Sequence, residues 1–215
     1  FLYMELTTKK DYEECVNRIE AWFAGEILDR VPIRFHRHNA EYDVIHQSNH
    51  QTLEDRWMDA EYQVDCFKAE IQGHRFNAET FPMFCPNLGP NVYAAFHGGE
   101  MEFGETTSWY HEIIQDYERD LPLLQFSKEN KYYKKILELT HVALEKCRGD
   151  YLVGYTDLHP GMDCALAWRG VNNLCMDLVM DPENTKKLMD LSTAHFLEVY
   201  NEYDAILKAH DMPSG

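Results

Sequence analysis

From Thr8 onward, Tyr12, Cys15, Val16, Ile19, Trp22 and Phe23 recur at spacings of three and four, which puts one apolar stripe on a helix ending near Gly25. Val31-Pro32-Ile33-Arg34-Phe35 is short and β-prone, with proline near its start where a ladder donor can be missing. It predicts a strand whose end runs into His36 to Tyr42. Leu53, Trp57, Ala60, Val64, Phe67 and Ile71 predict one helix over 52–72, with Gly73 as its stop. Between Phe81 and Phe96 aromatics, proline and glycine gather, and one or two short strands are expected around turns at Pro86-Asn87 and Gly89-Pro90.

Ser127 is placed to cap a helix with Tyr133, Ile136, Leu137, Thr140, Leu144 and Cys147 on its inner face and Gly149 at its end. Tyr151-Leu152-Val153-Gly154-Tyr155 follows directly, and a near-continuous apolar run after a helix and a tight turn reads as a parallel strand buried on both faces. A helical region from about Cys164 to Val179 precedes Asp181-Pro182-Glu183, where Asp caps and Pro occupies the first turn of a last helix reaching about Ala209. Strands alternating with long helices predict an α/β fold, either an open doubly wound sheet or a barrel. A closed (β/α)8 TIM barrel takes ~250 residues and more strands than the three or four visible here, so the chain would be one domain supplying about half of one.

Composition bears on partners more than on fold. The 215 residues are 45% apolar and 27% charged, enough for one sizeable core. With 20 Lys and Arg against 37 Asp and Glu the net charge is −17, a field that repels phosphate backbones and anionic lipid. Nucleic acid and membrane are therefore poor partners. The longest apolar stretches, such as Val92 to Phe96, fall far below the ~18 residues of a spanning helix, and the N-terminus has no basic region leading into an apolar one. Six cysteines without a Cys-x-x-Cys pair fit reduced thiols, and a cytoplasmic setting is expected. The chain opens on Phe1 and stops at Pro213-Ser214-Gly215 after a helical pattern, which suggests a piece of a longer polypeptide.

In parallel α/β folds the ligand lies at the carboxyl ends of the strands. Two clusters follow strands here: His36-Arg37-His38-Asn39-Ala40-Glu41-Tyr42, and Thr156-Asp157-Leu158-His159-Pro160-Gly161. Asp157 and His159 suit an acid/base pair, or a turn and helix cap before Pro160. His36 and His38 point to one side of a strand and could share a metal, but two ligands are few, and a hydrogen-bonded loop histidine is the plainer reading. Gly98-Gly99 and Gly104 do not make a phosphate loop, because Glu105 stands where lysine is needed. No Gly-x-Ser-x-Gly elbow is present.

The order of these features resembles the uroporphyrinogen decarboxylase superfamily, which includes cobalamin-dependent methyltransferases of the methylcobamide:coenzyme M type. The family's first helix leads to a strand beginning near proline, here Val31-Pro32-Ile33, followed in the decarboxylases by Arg-Gln-Ala-Gly-Arg-Tyr. This chain has Arg37-His38-Asn39-Ala40-Glu41-Tyr42, so Arg37 and Tyr42 match while Glu41 replaces the second arginine. Leu152-Val153-Gly154-Tyr155 looks like the family's Gly-Phe-x-Gly-Pro strand and loop, and Asp181-Pro182-Glu183 is similar to its Pro-Glu-x-Val helix. Asn87-Leu88-Gly89 with Trp109 is similar to the second-strand region of the methyltransferase-like branch.

The resemblance implies a (β/α)8 barrel of which this is the N-terminal part, with Arg37, His36, His38 and Asn87 binding substrate and Asp157, His159 and Tyr42 doing the chemistry. The departures indicate the branch. Glu41 turns attraction for an octa-acid into repulsion, about 1 to 4 kcal/mol at about 4 Å depending on dielectric. Phe81-Pro82-Met83 also stands where the decarboxylase aspartate would be. The methyltransferase-like members use zinc to activate a thiol, with ligands in the half that lies beyond this chain, and a corrinoid or corrinoid protein as methyl donor. Corrinoid/thiol methyl transfer on a small molecule is thus the leading expectation. Its rivals are a decarboxylase-type lyase, a metal-dependent hydrolase using His36 and His38, and a non-catalytic half-barrel that dimerises or binds its missing half.

Overall fold

A computed structural model describes residues 6–38 and 48–213, without side chains at 36–38 and 73. Helix α1 (Tyr12–Phe23) forms where the apolar period predicts it. Of its stripe only Cys15 is fully buried, its thiol donating to the carbonyl of Ala78 at 3.1 Å. Trp22 and Phe23 stay exposed, as do Ile27, Leu28 and Val31 beyond them.

Strand β1 (Arg34–His38) pairs antiparallel with β2 (His74–Ala78), Arg34 opposite Ala78 and His38 opposite His74. The helix between them is not continuous. It divides into α2 (Leu53–Met58) and α3 (Ala60–Gly73) at Asp59, whose extended backbone (φ −88°, ψ 98°) lets its carboxylate accept from the Tyr62 N–H. Glu79, directly after β2, is the charge that fixes the start of β1. Its buried carboxylate accepts from Arg30 at 2.7 and 2.8 Å, from the Ile33 N–H at 2.7 Å and from Arg18 at 3.3 Å. Desolvation pushes its pKa up, but these donors outweigh it and hold the group down at about 2.

Next come β3 (Met83–Phe84), the short helix α4 (Val92–Ala95), a hairpin of β4 (Met101–Phe103) with β5 (Ser108–Tyr110), and α5 (Tyr117–Asp120). The Val92 run, expected as strand, coils into a fully buried helical turn. Gly89, before it, must be glycine: its φ is +109°, and a Cβ there would sit 1.7 Å from Ser108 Oγ, which donates to the Leu88 carbonyl at 2.6 Å. Helix α6 (Lys131–Cys147) is capped by Asn130, not Ser127, the Asn130 side chain accepting from the Tyr132 and Tyr133 N–H groups. It carries the core on Tyr132, Tyr133, Ile136, Leu139 and Ala143, each large side chain contributing about 1.5–3 kcal/mol by leaving water.

Strand β6 (Leu152–Val153) pairs parallel with β3, Met83 opposite Leu152, as the apolar run after α6 suggests. Four helices follow: α7 (Met162–Arg169), α8 (Val171–Met180), α9 (Pro182–Ala194) and α10 (Phe196–Ala209). The chain bends at Gly170 and His195, where single helices were expected. On α8 the usual polarity is inverted, with Asp177 buried on Arg169 at 2.6 Å and on the Tyr117 hydroxyl at 2.7 Å, while Met176, Val179 and Met180 face out.

The (β/α)8 expectation, whole or half, is overturned. Helix makes up about 53% of the described residues, and the strands form three separate two-stranded sheets with no closure. The first strand is taken up by an antiparallel ladder with β2, so it does not extend the parallel pair, and the Leu152 strand offers only two residues to its neighbour. Among the described residues no helix is long and apolar enough to cross a membrane.

Candidate functional site

The parallel pair β3 and β6 determines which loops meet. Leu152 N–H donates to Pro82 O at 2.9 Å and Gly154 N–H to Phe84 O at 2.8 Å, so the segments starting at Cys85 and Gly154 leave the ladder side by side. Gly154 keeps that exit narrow. A Cβ at this position would lie 3.0 Å from Met83 Sδ and 3.3 Å from Cys85 Sγ, so the missing side chain lets both sulfurs lie along the strand.

Asp157 and His159 meet at this exit: His159 Nε2 is 2.5 Å from Asp157 Oδ1, and His159 Nδ1 is 3.7 Å from Asp163 Oδ2 on the first turn of α7. Both are close approaches of a ring nitrogen to a carboxylate, and the second is too long for a hydrogen bond. With Asp157 against Nε2, Nδ1 is the ring nitrogen with no carboxylate at hydrogen-bond distance. Both side chains are about half exposed, at 45% and 46%, so the pair adds little to stability and remains open to a ligand.

Cys85 joins them electrostatically. Cys85 is exposed as a residue, but partial desolvation of its sulfur against the strand ends pushes the thiol pKa up, Arg34 of β1 pulls it down, and Asp157 pushes it up again. Arg34, Cys85 and Asp157 therefore share one neighbourhood, which joins the first strand to the two strand-end loops. Behind them Tyr155 anchors the loop, donating to Asp204 Oδ1 at 2.7 Å and stacking on Tyr200 with centroids 5.2 Å apart. Burial first, then Asp204, pushes its phenol far above the ordinary range, so it acts here as a strut.

The other expected site residues fall differently. Asn87 uses its side-chain oxygen to accept the Gly89 N–H at 2.7 Å, an Asx turn that shapes the loop after β3. Tyr42 lies outside the described residues, as do the side chains of His36, Arg37 and His38, whose backbone belongs to β1. Cys85 and Arg34 were not singled out from sequence. Arg34 sits inside the predicted strand and Cys85 in a turn-rich stretch, and the pairing of β3 with β6 is what brings Cys85 beside the segment that leads to Asp157.

Among the described residues no group of three or more His, Cys, Asp or Glu converges as a metal site. Zinc therefore does not fit the residues described. No family model, no curated protein and no solved structure matches the chain.

Proposed function

We propose that this chain carries the acid/base edge of a small-molecule group-transfer enzyme, of the methyltransferase-like kind suggested by its resemblance to the uroporphyrinogen decarboxylase superfamily. The observation that carries the reading is the 2.5 Å contact of His159 with Asp157 at the carboxyl end of the parallel pair, beside Cys85. His159 would take the proton of an acceptor thiol as the methyl group passes from donor to sulfur, and Asp157 would hold the ring in the tautomer that does so. The donor substrate in this reading is a methylated corrinoid.

The charges at the exit favour this branch over decarboxylation. Asp157 and Asp163 flank His159 on both sides, and the chain as a whole carries −17. An octa-acid would meet repulsion at the residues meant to bind it, whereas a small thiol would not.

The test is a pair of assays on the protein that carries this chain, one with methylcobalamin and thiol acceptors, the other with uroporphyrinogen. Methyl transfer is expected, and His159→Ala should lower it about 10²–10⁴-fold, the usual worth of a positioned acid or base. Uroporphyrinogen turnover without methyl transfer, or unchanged activity in His159→Ala, overturns the reading.

A further inference from the structure

A second constellation lies away from the strand ends, where the chain enters α2 and α3. Ser48 Oγ is 2.7 Å from His50 Nδ1, and His50 Nε2 is 2.9 Å from Asp59 Oδ2. Asp59 is itself fixed, because its other oxygen accepts the Tyr62 N–H at 2.9 Å. That backbone bond first, and His50 after it, keep the carboxyl below its ordinary value against the opposing effect of burial. With a carboxylate on Nε2, that nitrogen carries the ring proton, and Nδ1 faces the Ser48 hydroxyl as a base. The break between α2 and α3 makes this possible. In an unbroken helix Asp59 would have no free turn from which to hold both the Tyr62 N–H and His50.

Tyr62 completes the group. Its ring packs edge-on against His50 with centroids 4.8 Å apart, and burial first, then Cys66, pushes its phenol pKa up while Ser48 pulls it down. The same tyrosine lines a cleft of about 320 Å³ together with Arg56, Trp57, Gln63, Cys66, Glu105 and Thr106; Ser48, His50 and Asp59 lie outside this lining and adjoin the cleft through Tyr62. Arg56 is already satisfied there, by Glu105 Oε2 at 3.0 Å and the Glu105 carbonyl at 2.7 Å. The cleft therefore suits a neutral guest better than a charged one, and its volume is that of a small ligand.

We propose that Ser48, His50 and Asp59 form a hydrolytic relay for a small, uncharged carboxylic ester held in this cleft, with the Tyr62 phenol donating to the developing oxyanion. Ser48 Oγ bonds to the ester carbon and passes its proton to His50 Nδ1. The bond from that carbon to the alkoxy oxygen breaks, and the leaving alcohol takes the proton from His50. Water then adds to the acyl carbon, gives a proton to His50, and displaces Ser48 Oγ, which recovers that proton. The site shares no residue with the Asp157 and His159 pair, so either can fail without the other.

The experiment treats the chain with a fluorophosphonate probe, maps the modified peptide, and follows p-nitrophenyl acetate hydrolysis. Labelling at Ser48 is expected, with kcat/KM at least about 10²-fold lower in Ser48→Ala and His50→Ala. Asp59→Asn keeps the helix cap and should lower kcat while leaving the melting curve close to wild type. Ser48 is exposed, so a Ser48→Ala protein with an unchanged circular dichroism melt isolates chemistry from folding. A wild-type chain that takes no label, takes it at another residue, or hydrolyses ester as fast without Ser48 overturns the proposal.

Discussion

His97 gives the sharpest pH prediction in the molecule. It is 3% exposed and enclosed by the rings of Tyr93, Phe126 and Trp168, with centroids 5.1, 5.5 and 5.2 Å away. Nδ1 lies 3.2 Å from the Tyr93 carbonyl, and Nε2 has no protein partner. Nδ1–H therefore donates and the ring is neutral. Burial, with a smaller push from His195, lowers its pKa from 6.5 to about 4. An unfolded chain binds this proton near pH 6.5 while the folded one resists it until about pH 4, so stability is full above 6.5 and falls as the pH drops through that window. A shift of 6.5 − 4, or 2.5, is worth about 3.4 kcal/mol in full at 1.36 kcal/mol per unit, and about 2 kcal/mol of it should be gone at pH 5. Urea denaturation of wild type and His97→Leu at pH 7 and pH 5 reads this directly. The wild type should lose about 2 kcal/mol more than the variant on acidification. Parallel losses in the two proteins would refute the buried, neutral imidazole.

Two further predictions concern groups that shape the strand entries. Glu79→Gln removes the charge that Arg18 and Arg30 share, and should cost about 1.5–3 kcal/mol at pH 7 in denaturant melts. Because the folded carboxyl is held at about 2, its contribution is complete above pH 4.5 and lost on falling toward pH 2. The gap between wild type and variant should close over that range, and a gap independent of pH would show that the charge is not what matters. Gly89→Ala must move Ser108 and adopt a φ of +109°, with an expected loss of about 1–3 kcal/mol. Adding Ser108→Ala should recover only part of it, because the Ser108 Cβ would still lie 3.0 Å from the new methyl, and a melt that returns to wild type would refute the backbone share.

What the sequence made legible follows from which forces act locally. The period-3.6 stripes locate α1 and α6, and the apolar run after α6 marks a parallel strand, because burial imposes those patterns residue by residue. Helix breaks do not announce themselves in the same way. Across Asp59 and His195 the apolar period continues while the axis changes, and what turns the chain is a capping bond in one case and packing of His195 on Phe126 in the other. Strand pairing is less legible still: the strand expected over Val31 to Phe35 forms instead over Arg34–His38, and nothing in its residues tells a barrel strand from the antiparallel partner of β2 that it is.

The two candidate sites divide along the same line. Asp157 and His159 are close in sequence and follow a recognisable strand, so their pairing is visible in advance. Ser48, His50, Asp59 and Tyr62 come together only because the α2–α3 helix breaks at Asp59. A stripe-based reading smooths over that break. A polar residue that interrupts a helix and bonds in two directions is thus the place to look for chemistry that hydrophobic periodicity conceals, and Asp59 is that residue here.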